Sequence, residues 1–409
     1  MAEAQAGAAV KVGYGGHLTY CTNIHPGETW PEVRSNLERY LLSVKAQMAP
    51  RGGFGVGLRL SAVAARALAE PRTLAEFKSF LHRNRLYVFT LNGFPYGPFH
   101  GEPVKANAYL PDWKQDDRLE YTNLLADLLV ELLPDDPELE GSISTVPGAF
   151  KPHADTPEKV ERITDVLLRH VAHLVKLRSR TGRTIGLALE PEPCCFLETV
   201  EETIAYFRNS LTSEAAVQRL MSLAGVPHAT AREALHRHIG VCLDLCHAAV
   251  EFEDAEGCLQ RLRGANIRVH KMQLSSGLRV PGVDARTEEL LRPFDDRVYL
   301  HQVVERTADG LNRYVDLADA FATLPGSRSE REWRVHCHVP VFLDDMGQFA
   351  STQSFIRDAL AAHRKSPITA HLEAETYTWS VLPNQYRGAS MDHAIARELS
   401  WLREHLGNP

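Results

Sequence analysis

Eight short apolar runs recur along this chain, each separated from the next by a turn and an amphipathic stretch. They fall at residues 17–22, 55–60, 86–91, 141–146, 184–190, 239–244, 267–274 and 369–375. Strands alternating with helices in this way predict parallel β-α-β units. Eight such units with right-handed crossovers close into a single (β/α)8 TIM barrel of the α/β class. Two further apolar runs, 298–304 and 333–342, lie between the last two members. They are expected either to form an insertion between strands 7 and 8, roughly residues 277–366 of one domain spanning 1–409, or to compete for a place in the barrel.

The connecting helices are signalled locally. Val33, Leu37, Leu41 and Val44 repeat at helical spacing behind Pro31. Thr73 with Glu76, and Thr199 with Glu202, have capping-box spacing. Thr156-Pro157-Glu158 opens a long helix, and Leu124, Leu125, Leu128, Leu129 and Leu132 form a wide apolar stripe. An open doubly wound sheet is the rival architecture, but it usually carries a glycine-rich phosphate loop after its first strand. Here Gly13-Tyr14-Gly15-Gly16 precedes that strand and reads as a turn.

Composition excludes several functions. Of the 409 residues 44% are hydrophobic and 24% charged, enough for a large core. The net charge of -7 argues against a protein that grips nucleic acid through many phosphates. No stretch is apolar enough to span a bilayer, and the first residues lack the pattern of a signal peptide, so a cytoplasmic location is expected. The seven cysteines sit mostly in apolar segments and read as buried, reduced thiols.

In a barrel the C-terminal ends of the strands face the active site. The fifth run ends in Glu190, with Glu192 just beyond, and the sixth ends in Asp244 followed by His247. A carboxylate closing so apolar a run needs a partner or a metal. Asp244 also has the position of a helix cap. On the seventh run, period-two alternation puts Lys271, Gln273 and Ser275 on one face and His270 on the other. On the eighth, His371, Glu373 and Glu375 share a face, where three ionisable groups need partners. These residues predict a divalent-metal site of Glu190, Asp244, Gln273 and Glu375. The oxygen-rich donor set suits Mn2+ or Mg2+, with Zn2+ or Co2+ as alternatives. Nineteen histidines is a high count, and His25 and His338 fall beside expected site loops. His25, His247, Lys271, His338 and Glu373 are the expected substrate-binding residues, and Lys271 or Lys105 is placed to meet a phosphate or hydroxyl.

The succession Leu189-Glu190-Pro191, Leu243-Asp244-Leu245-Cys246-His247 and Glu375 resembles the xylose isomerase-like barrel superfamily of sugar-phosphate isomerases, epimerases and endonuclease IV-type nucleases. The resemblance implies metal ligation by Glu190, Asp244 and Glu375, with Gln273 where the epimerases carry His. Residues 16–30 and 371–379 resemble more narrowly the metabolite traffic protein EboE family, and the likeness runs nearly end to end. That family implies a small sugar, cyclitol or polyol-derived metabolite as partner. Three functions are therefore weighed. The first is a metal-dependent isomerase or epimerase with Glu190, Glu375 and His247 as catalytic groups. The second is a metal-dependent phosphate-ester hydrolase using further ligands from His301, His336 and His338. The third is a carrier that binds without turnover.

Overall fold

The computed structural model describes residues 11–12, 16–100, 105–295, 298–324, 331–380, 382–386 and 390–407. Gly13, Tyr14 and Gly15 of the glycine cluster lie outside them. A short strand β1 (Lys11–Val12) pairs antiparallel with β2 (Gly16–Tyr20). The barrel continues through β3 (Phe54–Arg59), β4 (Leu86–Asn92), β5 (Gly141–Thr145), β6 (Ile185–Leu189), β7 (Ile239–Asp244) and β8 (Val269–Leu274). Five strands follow: β9 (Ser276–Val280), β10 (Val303–Thr307), β11 (Gly310–Tyr314), β12 (Glu332–Val339) and β13 (Ala350–Ser351). The last barrel strand is β14 (His371–Ala374).

The barrel strands pair in parallel in the order β2-β14-β8-β7-β6-β5-β4-β3. A parallel bridge between Cys21 and Gly57 joins the two ends and closes the ring. All eight apolar runs are barrel strands, as the rhythm predicts. Strands β9–β13 form a separate antiparallel sheet in the order β11-β10-β12-β9-β13, so the two extra runs do not compete for the barrel.

Local chemistry sets most helix starts. Thr156 accepts from Lys159 N to open the helix Pro157–Thr181, and Thr199 forms a full capping box with Glu202. Thr73 does not cap its helix. The helix Pro71–Arg83 starts three residues earlier than that cap would set it, because Pro71 takes the first helical position, where a missing N–H costs nothing.

One departure from strict alternation matters for the site. The β7–β8 register shifts between Val241 and Cys242, so β8 carries an extra residue at His270. His270 therefore turns inward as well as Lys271, over Gly186, where a Cβ would fall 2.4 Å from the imidazole. Together with His17 and His371 it lines an opening at the N-terminal end of the barrel.

Glu398, on the helix Met391–Leu406, is 2% exposed. Its Oε1 accepts from Val341 N (3.1 Å) and Thr376 Oγ1 (2.7 Å), pinning this helix to the segments that follow β12 and Glu375. Burial, partly offset by those bonds, raises the carboxyl to about 7. A raised carboxyl pKa means the folded chain holds a proton that the unfolded chain releases. The stability it contributes at low pH is lost as pH rises through about 7, a difference of about 3 kcal/mol. Glu398→Gln keeps the accepting oxygen and is expected to flatten that decline in urea midpoints between pH 5 and 8. An unchanged slope would rule the assignment out.

Candidate metal centre and its cleft

The strand ends β6, β7 and β14 bring Glu190, Asp244 and Glu375 together, with one carboxylate oxygen of each within 4.8 Å of the others. All three are at most 4% exposed. Asp244 serves two purposes. Its Oδ1 accepts from Cys246 N (2.7 Å), His247 N (3.0 Å) and Ser275 Oγ (2.6 Å), so it does cap a helix. Its Oδ2 is buried without a hydrogen-bond partner, and so is Glu190 Oε2. Orphaned carboxylate oxygens converging on one point are what a bound cation would satisfy.

Glu375 is held by two amides. Asn23 Nδ2 donates to its Oε1 at 2.6 Å and Asn92 Nδ2 at 3.1 Å. Neither amide is charged, and sequence reasoning gave neither a role in the site, although Asn23 lies within the 16–30 stretch. Burial and the neighbouring Glu375 and Asp244 push Glu190 well above the usual carboxylate range. Burial, Asp244 and Glu373 do the same to Glu375. Burial also opposes ionisation of Asp244, but His247 and His338 beside it and its hydrogen bonds more than offset this, so it stays below its ordinary value.

Gln273 sits in this layer, but its Oε1 accepts the Cys242 thiol at 3.0 Å and its Nε2 has no partner. An imidazole beside the site comes from the second sheet. His338 on β12 donates from Nδ1 to the carbonyl of Glu375 (2.6 Å), leaving Nε2 buried and unpartnered beside Asp244 and His247. An Nδ1–H held by a carbonyl is how a metal-binding imidazole is commonly oriented.

A second polar group lies alongside. His247 Nδ1 donates to the Pro191 carbonyl (2.9 Å), and His336 Nδ1 to Gln302 Oε1 (2.9 Å). Those bonds leave both Nε2 atoms as lone-pair acceptors, yet they face each other at 3.1 Å. Only a shared proton or a cation makes that approach favourable. Glu192 adjoins them, its Oε1 accepting from the Tyr109 hydroxyl (2.6 Å) and Gln302 Nε2 (3.1 Å).

Beneath the carboxylates lies a closed floor. Lys271 Nζ meets Glu373 Oε2 at 2.5 Å, both side chains fully buried. Burial would lower the Lys271 pKa, but Glu373 holds it above the ordinary value. Gly57 makes room for this pair, since a Cβ there would fall 2.0 Å from Glu373 Oε1. Lys271 and Glu373 are thus tied to each other and do not line the cleft. His25 does not line it either: its ring stacks on Tyr40 at 4.5 Å and its Nε2 meets the Tyr20 hydroxyl at 3.0 Å.

The cleft above the carboxylates encloses about 550 Å³, including its mouth. Its floor presents Glu190, Glu192, Glu375, His247, His336, Asn23 and Asn92, and its walls include Phe94, Phe99, Tyr109, Tyr299 and Tyr377. Lys105 reaches the rim, with Nζ bound to Asp316 at 2.5 Å. His301 is also buried near the rim, grouped with Asp295 and Asp316 away from the carboxylate cluster. All seven cysteines are free and buried.

Fold and site together define an α/β barrel with a carboxylate–imidazole cluster at the C-terminal mouth. No protein-family model and no curated protein matches the chain. Among solved structures it is similar to the probable 3-DHS dehydratase AsbF of Bacillus anthracis, at 12% identity, covering 94% of this chain and 98% of that one, TM-score 0.45. It is similar to the IOLI protein with a bound zinc atom at 11% identity, 95% and 98% coverage, TM-score 0.45. A β-glucosidase of Thermotoga maritima matches at 9% identity, 98% and 100% coverage, TM-score 0.46. No helix among the described residues is long and apolar enough to cross a membrane.

Proposed function

We propose that this protein is a metal-dependent isomerase or epimerase of a sugar, cyclitol or related polyol, in keeping with the sequence resemblance to the EboE family. The observation that carries the reading is the convergence of buried, partly unpartnered carboxylates from Glu190, Asp244 and Glu375 on one point beneath a cleft. These three, with His338 as fourth donor in place of Gln273, would hold a divalent cation such as Mn2+ or Mg2+. When bound, the ion supplies Lewis acidity toward a substrate carbonyl and the adjacent hydroxyl.

The chain's own groups then move the proton. One of Glu190 and Glu375 accepts it from the carbon beside the carbonyl, and the other delivers a proton to the neighbouring position. Both carboxylates line the cleft, where a group that takes or gives a proton must stand. Asn23 and Asn92 fix which oxygen of Glu375 remains free. His247 reaches the cleft and hydrogen-bonds a substrate oxygen.

A second reading, hydrolysis of a phosphate ester, is favoured by the facing Nε2 atoms of His247 and His336, which are suited to a further cation. The metal-to-protein ratio of purified protein separates the two. One equivalent of metal, with deuterium incorporated into a polyol substrate in D2O, is the expected result. Two or more equivalents, with phosphate release and no exchange, overturns it. Removing the metal with EDTA is expected to lower Tm, because an ion bound only by the folded chain stabilises it by mass action.

A further inference from the structure

We infer that the cleft takes an unphosphorylated polyol, and that Asn23 Oδ1 receives one of its hydroxyl groups. The inference rests on the isomerase reading for the location of the chemistry, and its own ground is the side chain of Asn23. Asn23 is 3% exposed and lines the cleft. Its Nδ2 donates to Glu375 at 2.6 Å, which fixes the amide orientation, since a flipped amide would set two acceptors against each other. Its backbone carbonyl accepts His100 Nε2 at 2.5 Å, which further holds the residue in place. That leaves Oδ1 buried with no partner, although buried acceptors are nearly always satisfied. Asn92 forms the contrast. It also donates to Glu375, but its Oδ1 is already satisfied by Phe94 N at 3.1 Å. Of the two amides that hold Glu375, only Asn23 has an acceptor to spare, and a ligand hydroxyl is the donor it suits.

The charge on the described lining residues disfavours a phosphate as the matching group. Three glutamates reach it, and Lys105 is the one cationic side chain among the described lining residues, its ammonium bound to Asp316. Lys271 is sealed below with Glu373, and Arg59 is spent on Glu28 through two 3.0 Å bonds. A phosphoryl dianion would meet carboxylates without a free fork of donors to receive it. The walls suit the opposite chemistry. Phe99, Tyr299 and Tyr377 pack with ring centroids 5.0–5.4 Å apart, presenting an apolar surface to the C–H face of a ring.

The test uses the full-length, magnesium-loaded protein and saturation-transfer NMR. The probes are D-fructose, D-xylulose and myo-inositol, each paired with its monophosphate. The tightest unphosphorylated binder is then compared with its monodeoxy analogues in the wild type, Asn23→Ala and Asn92→Ala. An unphosphorylated member is expected to bind at least 10-fold more tightly than its phosphate. One deoxy position is expected to cost about 10-fold in the wild type and in Asn92→Ala, but less than 2-fold in Asn23→Ala. Because both variants loosen Glu375, a purely structural role for Asn23 would leave hydroxyl discrimination intact. Tighter binding of the phosphates, no binding by any unphosphorylated probe, or full discrimination in Asn23→Ala overturns the inference. Discrimination without proton exchange leaves it standing and removes the isomerase reading.

Discussion

Glu375→Gln is expected to lower turnover by about 10²- to 10⁴-fold, the range that a positioned acid–base group contributes. The variant is expected to fold normally. Gln keeps an oxygen where Oε1 accepts Asn23 and Asn92, so the side chain stays in place. The substitution also removes the cost of burying a carboxylate charge and its repulsion with Asp244 and Glu373, which together hold Glu375 above its normal range. Thermal stability without metal should therefore be equal or slightly higher, while metal affinity falls. Deuterium exchange into substrate, read beside a melting curve, separates these effects. A variant that still exchanges at the wild-type rate would remove Glu375 from the chemistry.

The largest loss of stability is expected from Lys271→Met. Breaking a fully buried ion pair from one side leaves an uncompensated charge and costs about 3–5 kcal/mol. The double variant Lys271→Met with Glu373→Gln removes both charges at nearly constant volume, and is expected to recover most of that loss. Equal destabilisation in the single and double variants would show that packing, not charge, governs this position. Denaturant midpoints at low and high salt are the measurement. Burial predicts little salt dependence, since ions in solution do not reach this pair.

Much of the barrel was legible because burial on both faces writes each strand as an apolar run, and a carboxylate at the end of such a run stands out. Glu190 and Asp244 stand out in this way, and Glu375 through the face it shares with His371 and Glu373. The remaining site residues were hidden for different physical reasons. Asn23 and Asn92 carry no charge and follow no spacing rule, so only the fold shows that both point at one carboxylate. Gln273 occupies the expected strand position, but its oxygen goes to Cys242, a contact between neighbouring strands that sequence distance conceals. Period-two alternation placed His270 away from Lys271, and the register shift on β8 brings both inside. His338 was visible as part of a histidine-rich run, but its place beside Asp244 depends on how the second sheet docks on the barrel. His25 and Glu373 illustrate the converse. Each sits near the site in sequence, yet stacking on Tyr40 and pairing with Lys271 draw them away from the cleft.

The sealed pair of Lys271 and Glu373 has a kinetic consequence. It stands between the cleft and the opening at the other end of the barrel, with Cys242, Gln273 and Ser144 also fully buried around it. Among the described residues the barrel is therefore stoppered along its axis. A molecule that reaches Glu375 through the cleft leaves through the cleft, and must vacate it before the next arrives. Under the isomerase reading, product leaving by the way substrate enters competes with it, and the direction of net flux follows from the product-to-substrate ratio outside relative to the equilibrium constant.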